Sequence, residues 1–286
     1  MAKLDASRMK GNPPAATSYR GRQSSFGDVL LLRATGIERD FPLHRHDYYA
    51  FGLLDEGVEA SWARGSQHLI TMEDTVLLNP EDAHTGAPYC GKWSYRMLIL
   101  EPETVEALAR DRCEDSGSPL FRNPIVHDAE TRSKLAALMD VHEVLPDLLD
   151  EELVGLLSHF IVRHGGGDRG HEAPDDASAL ALVRDMLVDV PFRSQSLADL
   201  SAASNLSRTY LVTAFKRRYG LPPMAFQLQH RLDKARRDLL QGNKPIAQIA
   251  IENGFYDQSD LNHHFSRIFA ISPFRMRRQV WDRCRT

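Results

Sequence analysis

Cysteine is scarce in this chain: its 286 residues hold three, Cys90, Cys113 and Cys284, and no two form a CxxC pair. That usage excludes a disulfide framework and a zinc knuckle and fits a reducing compartment. Long apolar runs are missing as well. The longest, Leu153–Val162, is interrupted by Ser158 and His159, and reaches about half the ~20 residues needed to span a bilayer. Met1 to Thr17 is polar and lacks an apolar centre, so no secretory signal, no membrane association and a cytoplasmic location are expected. No sign of charge dominates: the net is −4, with 42% hydrophobic and 26% charged residues. This is an ordinary globular composition, which leaves neither a disordered nor a fibrous chain as a reading.

The near balance of charge is a cancellation. From Ala177 onward there are 17 Lys and Arg against 9 Asp and Glu, a net of +8, while the rest of the chain carries 18 against 30, a net of −12. A basic segment of that size is a candidate footprint for a polyanion. Charge alone does not separate this reading from a solvated surface.

Patterning divides the chain in the same place. Residues 1–18 read as a flexible arm. Short apolar runs follow, Val29–Leu32, Tyr49–Leu54, Thr75–Leu78 and Tyr95–Leu100, separated by turn-forming stretches; this predicts a small β-barrel or sandwich over residues 19–102. From Glu103 the period becomes helical, with Val105, Leu108 and Ala109, then Leu135, Leu138 and Met139, then Leu153, Leu156, Leu157 and Phe160. Residues 103–164 therefore read as a helical connector. Gly165-Gly166-Gly167 opens a polar linker over 165–177. Residues 178–286 read as entirely helical.

That last segment contains a duplication. Leu197, Ala198 and Leu200 recur as Ile246, Ala247 and Ile249, and Leu211, Phe215, Tyr219 and Pro223 recur as Leu261, Phe265, Phe269 and Pro273. Each copy, 196–219 and 245–269, has a short amphipathic helix, a turn at Asn205 or Gly254, and a second helix with apolar residues at i, i+4 and i+8. Ser207 and Asp257 are suited to cap the second helices. A long helix, roughly Met224–Leu240, links the copies, with Arg231, Lys234, Arg236 and Arg237 on its polar face.

The run Arg231-Leu232-Asp233-Lys234-Ala235-Arg236, with Pro245-Ile246-Ala247-Gln248-Ile249-Ala250, Asn253-Gly254-Phe255, Asp257-Gln258-Ser259, Phe265-Ser266-Arg267 and Ser272-Pro273-Phe274-Arg275, resembles the signature of AraC/XylS transcriptional regulators. It departs from that pattern at Ala270, where glycine is usual and where the first copy has Gly220. The resemblance implies a double helix-turn-helix whose two heads enter successive major grooves on one face of promoter DNA. It places Arg208, Thr209, Val212 and Thr213 on one outer face, and Gln258, Ser259, Asn262 and His263 on the other. Gln and Asn suit adenine, Arg suits guanine, and Thr and Val methyls suit thymine. Lys216, Arg217, Arg218 and Arg267 suit phosphates.

Phe41-Pro42-Leu43-His44-Arg45-His46-Asp47, Gly57 and Leu78-Asn79-Pro80-Glu81-Asp82-Ala83-His84 resemble the cupin-type sensor domain of the same family. The implied architecture is multidomain α and β: an N-terminal cupin-like β-barrel with following helices, then an all-α double helix-turn-helix. His44, His46, Tyr49, Trp62, His84 and Arg96 are the candidate effector-binding residues. Arg96 interrupts an apolar strand, so an anionic effector is expected, with an acidic residue of the chain as the alternative partner. Catalytic cupins add a Glu four or five residues after the second His; Ala50 and Phe51 stand there. No metal, cofactor or catalytic residue is therefore expected. The expected function is effector-controlled transcription regulation, as an activator working with RNA polymerase, from a homodimer. The alternative is a metal-dependent cupin enzyme fused to a DNA-binding module. Leu153, Leu156, Leu157 and Phe160 either form the dimer seam or pack on the barrel.

Overall fold

The computed structural model describes residues 17–110, 119–144, 149–166, 176–189, 195–242 and 244–281. Residues 1–16 of the expected arm and most of the expected linker lie outside them. Thr17 and Ser18, assigned to the arm, instead pair with Ala34 and Arg33 at the start of the first strand.

Among the described residues the N-terminal part has ten strands: β1 (Thr17–Ser24), β2 (Gly27–Ile37), β3 (Phe41–His44), β4 (Tyr49–Glu56), β5 (Glu59–Ala63), β6 (Ser66–Ile70), β7 (Thr75–Leu78), β8 (His84–Pro88), β9 (Trp93–Leu100) and β10 (Ile125–Val126). They form two antiparallel sheets, one of six strands in the order β1-β2-β9-β4-β7-β10 and one of four in the order β3-β8-β5-β6. No ladder closes the two into one sheet among the described residues.

The six-stranded sheet is buried on both faces. Tyr49, Phe51 and Leu53 of β4, with Leu98 and Leu100 of β9, pack under α1 (Pro102–Arg110), α2 (Ala129–Val144) and α3 (Leu149–His164). Alternate residues, Ala50, Leu54, Tyr95 and Ile99, face the other way, into the space between the sheets. Leu153, Leu156, Leu157 and Phe160 are all within 2% of complete burial in the first cluster. They pack on the β domain of their own chain, so they do not form an open seam.

The C-terminal part is helical: α4 (Ala177–Asp189), α5 (Leu197–Ser204), α6 (Arg208–Tyr219), α7 (Pro223–Gln241), α8 (Ile246–Glu252), α9 (Gln258–Phe269) and α10 (Pro273–Trp281). The capping chemistry read from sequence is in place. The Ser207 hydroxyl accepts from Tyr210 N at 3.3 Å, and the Asp257 carboxylate accepts from Asp260 N at 2.8 Å. Asn205 takes φ 56° and Gly254 φ 76°, the left-handed turns that let each second helix fold back on the first. Ser196 and Asp199 add a capping box at the start of α5. Ala270 adopts φ 59°, the conformation its departure from glycine makes costly.

The two halves share one interface. Arg236 of α7 is 2% exposed and its Nη2 sits 2.7 Å from Glu101 and 3.5 Å from Asp47. Arg237 reaches Asp47 at 2.9 Å, and Arg45 stacks 3.6 Å from the centre of the Phe226 ring. Arg236 and Arg237 were expected on a solvent-facing polar surface. Instead they hold the β domain, because acidic groups at the ends of β4 and β9 need cations across the interface.

Candidate nucleic-acid interface and effector cavity

The two second helices present the expected faces to solvent. Arg208, Thr209, Thr213, Lys216 and Arg217 are exposed on α6, with Val212 and Arg218 half-buried; Gln258, Ser259, His263 and Arg267 are exposed on α9, with Asn262 half-buried. Leu211, Ala214 and Phe215, and Leu261, Phe265 and Phe269, turn inward. The helical spacing thus separates a buried stripe from a polar one in both copies. Thr213 Oγ1 donates to Thr209 O at 3.0 Å, so that hydroxyl is committed and its methyl is the part left to offer. Sequence reasoning passed over Tyr256, which is 87% exposed immediately before the cap of α9.

Between the sheets lies a cavity of about 90 Å³. His44, His46, His84 and Arg96 line it. Tyr49 and Trp62 do not. Tyr49 lies on the helix-facing side of β4 and donates its hydroxyl to Pro119 O at 2.7 Å, and Trp62 lies on the outer side of β5. Their neighbours Tyr48 and Ser61 face the cavity instead, a one-residue parity difference that moves a side chain to the opposite face.

The histidines form a cluster, with ring centres of His44 and His84 4.2 Å apart and of His46 and His84 5.1 Å apart. Each Nδ1 faces a main-chain carbonyl, of Pro42, Tyr48 and Asp82 respectively, at 2.8 to 2.9 Å. That contact places the proton on Nδ1. Burial, reinforced by mutual repulsion, holds His44 down to about 3 and His46 well below its ordinary value; burial alone lowers His84. All three are neutral near pH 7. Both cavity arginines already have partners: Arg96 Nε lies 3.1 and 3.0 Å from the two Asp55 oxygens, and Arg45 lies 3.0 Å from Glu81. The anion that Arg96 needs is thus the chain's own Asp55. Residues not singled out from sequence complete the lining, including Glu59, Gly86, Trp93 and Tyr95.

The helical half closes this cavity. Ile268 and Phe269, the last turn of α9, form part of its wall. The last carbonyls of α9 are met by the β domain: Arg39 donates to Ser266 O and Arg267 O at 3.3 and 3.4 Å, and Tyr19 Oη donates to Phe269 O at 3.0 Å. A cation and a hydroxyl at a helix C-terminus satisfy carbonyls that have no partner within the helix.

Among the described residues, the one group whose ligand atoms converge for an ion is Asp128, His159 and His164, away from the cavity. The Thr131 hydroxyl lies 2.9 and 2.7 Å from the two Nε2 atoms and donates to Asp128 at 3.0 Å, while Arg163 pairs with the same carboxylate. The cluster is satisfied without an ion.

Residues 26–159 match the family described as AraC-like ligand binding domain, and residues 200–279 the one described as Helix-turn-helix domain. Over 239 residues the chain is 26% identical to the HTH-type transcriptional regulator YbfI of Bacillus subtilis, covering 82% of this chain and 86% of that one. It is 23% identical to the transcriptional activator RhaS of Escherichia coli, covering 82% and 87%. The fold is similar to that of ToxT from Vibrio cholerae, with a TM-score of 0.55, 14% identity and coverage of 91% of this chain and 99% of that one. No helix among the described residues is long and apolar enough to cross a membrane. With a ligand-binding domain, a duplicated DNA-reading unit and relatives that are regulators rather than enzymes, the chain belongs to the AraC family of transcription regulators.

Proposed function

We propose that this regulator reads a two-part promoter site with α6 and α9, and that a small molecule in the inter-sheet cavity sets how well α9 docks. The observation that carries this is the double engagement of α9. Its first turns expose Gln258, Ser259 and His263, while its last turn walls the cavity through Ile268 and Phe269. An effector that fits one arrangement of this wall better than another shifts DNA occupancy by its differential affinity. The two sheets serve as a cupin-like barrel around the effector, over residues 19–102, with a connector at 103–164, a linker at 165–177 and the DNA-binding unit at 178–286.

Arg208, Thr209, Val212, Thr213, Gln258, Ser259, Asn262 and His263 are assigned to bases, and Lys216, Arg217 and Arg267 to phosphates. Tyr256 joins the phosphate set on its exposure. The output is activation through RNA polymerase in the cytoplasm. A homodimer would use a face other than the Leu153/Phe160 stripe, which the chain's own β domain covers. Solved ToxT structures hold an unsaturated fatty acid or a naphthalenyl butenoic acid. A carboxylate effector here would meet Arg96 already paired with Asp55 and Arg45 already beside Glu81.

The test is binding of the full chain to its promoter and to scrambled DNA by fluorescence anisotropy. Arg208→Ala and Gln258→Ala should each lose about 1–3 kcal/mol on the promoter alone. Equal weakening on both DNAs would remove these residues from base reading.

A further inference from the structure

The one carboxyl that lines the cavity, that of Glu59, has no partner among the described residues. Glu59 points inward from β5, is 9% exposed, and its carboxyl makes no hydrogen bond or ion pair to any described residue. Of the other charged side chains lining the cavity, Arg96 pairs with Asp55, and Arg45 lies against Glu81 while its buried Nε and Nη1 make no hydrogen bond. The space beside Glu59 is kept open by Gly86. A Cβ there would stand 2.9 Å from Glu59 Oε1 and 3.2 Å from Trp93 Cη2. Trp93 and Tyr95 lie next to each other with ring centres 4.7 Å apart, and both face the cavity. Phe41 completes the cluster, 6.2 Å from Trp93, but already carries the Arg39 guanidinium at 4.6 Å from its centre.

A buried carboxyl beside two electron-rich rings is an arrangement that a cation stabilises in its ionised form. Such a carboxyl is unfavourable to ionise alone, and burial pushes Glu59 up to about 8. A cation supplies what the chain does not. The neutral histidines across the cavity add no positive charge that would compete with it.

We infer that the effector is a small cationic amine or quaternary ammonium, its charge on Glu59 and its carbon skeleton against Trp93 and Tyr95. This rests on the cavity being the effector site. The volume of about 90 Å³ sets the size: more than a single water, less than the ~150 Å³ engineered cavity that takes benzene.

The test uses the full chain and four probes titrated by calorimetry at pH 7: butylamine, 1-butanol, butyrate and tetramethylammonium. The first three share a chain and differ only in the head group. Butylamine should bind at least tenfold more tightly than 1-butanol, tetramethylammonium should bind, and butyrate should be weakest. In Glu59→Gln the amine should lose at least tenfold while 1-butanol is unchanged; the wild-type series stands alone should that variant fail to fold. If 1-butanol matches butylamine, or butyrate exceeds it, the cationic assignment is overturned and the effector site stands. If none of the four binds, the cavity is not the effector site and both readings fall.

Discussion

The two helix-turn-helix copies are near repeats in sequence and unlike in their surroundings. The first has a core built from helices, where Leu200, Leu211, Phe215 and Phe226 pack with Leu180, Val183 and Leu187 of α4, and Leu43 of β3 lies against its edge. The second shares a core with the β domain, so Leu261, Phe265 and Phe269 belong to the cluster that includes Tyr19, Tyr95 and Ile99. The caps differ to match. Gly220 ends α6 at φ 77°, and a Cβ there would lie 2.4 Å from Ala83 Cβ of the β domain. Ala270 ends α9 at φ 59° with room for its methyl, which is 2% exposed. Duplication therefore supplied two reading heads, but among the described residues only the second contributes side chains to the cavity wall. The first abuts the β domain, and the second is completed by it.

The largest expected effect breaks the interface on which both copies depend. Arg236→Ala leaves Glu101 and Asp47 facing a buried vacancy and should cost roughly 3–5 kcal/mol in urea unfolding; a loss under 1 kcal/mol would dismiss this bridge as structural. Next comes the cap of the first copy. Gly220→Ala should cost about 2–4 kcal/mol, from the left-handed backbone and the overlap with Ala83 together. Adding Ala83→Gly should recover the overlap part alone, and no recovery would mean the contact is not made.

Acid should sharpen the contrast from the cavity side. His44 titrates near 3 against an ordinary 6.5, and His46 and His84 are held down too. As pH falls through 6.5 the unfolded chain takes up protons that the folded chain refuses, so stability is lost toward pH 3. Glu59 works in the opposite direction: its contribution is complete below 4.5 and is lost as pH rises through about 8. Three histidines oppose one carboxyl, so stability should fall between pH 7 and 5.5 in urea unfolding. In Glu59→Gln that loss should be larger, and an unchanged loss would remove Glu59 from the balance. Hydrogen exchange should show the last turn of α9 opening before that of α6. The smallest effect is at the second cap. Ala270→Gly relieves the backbone but removes a buried methyl, so its stability should stay within about 0.5 kcal/mol of the parent.

Much of this was legible from residues. The duplication, both turns and the caps at Ser207 and Asp257 follow from local chemistry and spacing, while the meeting of His84 with His44 and His46 follows from the resemblance to cupin-type sensor domains. The failures share a physical cause. β4 is buried on both faces, so no polar alternation distinguishes Tyr48 from Tyr49. On β5, Trp62 attracts notice by size although Glu59 and Ser61 hold the inward parity. Arg236 is indistinguishable in sequence from its half-buried neighbours Arg231, Lys234 and Arg237, because its partners Asp47 and Glu101 lie far away along the chain. The opposed charges of the two halves, read as a sign of DNA, are thus used partly between the halves themselves.

Arg39 and Tyr19 finish the last turn of α9 from another part of the chain. A C-terminal fragment beginning at α4 would lose those donors, and its second reading head should fray where the whole protein's does not. Promoter affinities measured on such a fragment would therefore describe a protein with one firm hand and one loose one, and would understate what the intact regulator grips.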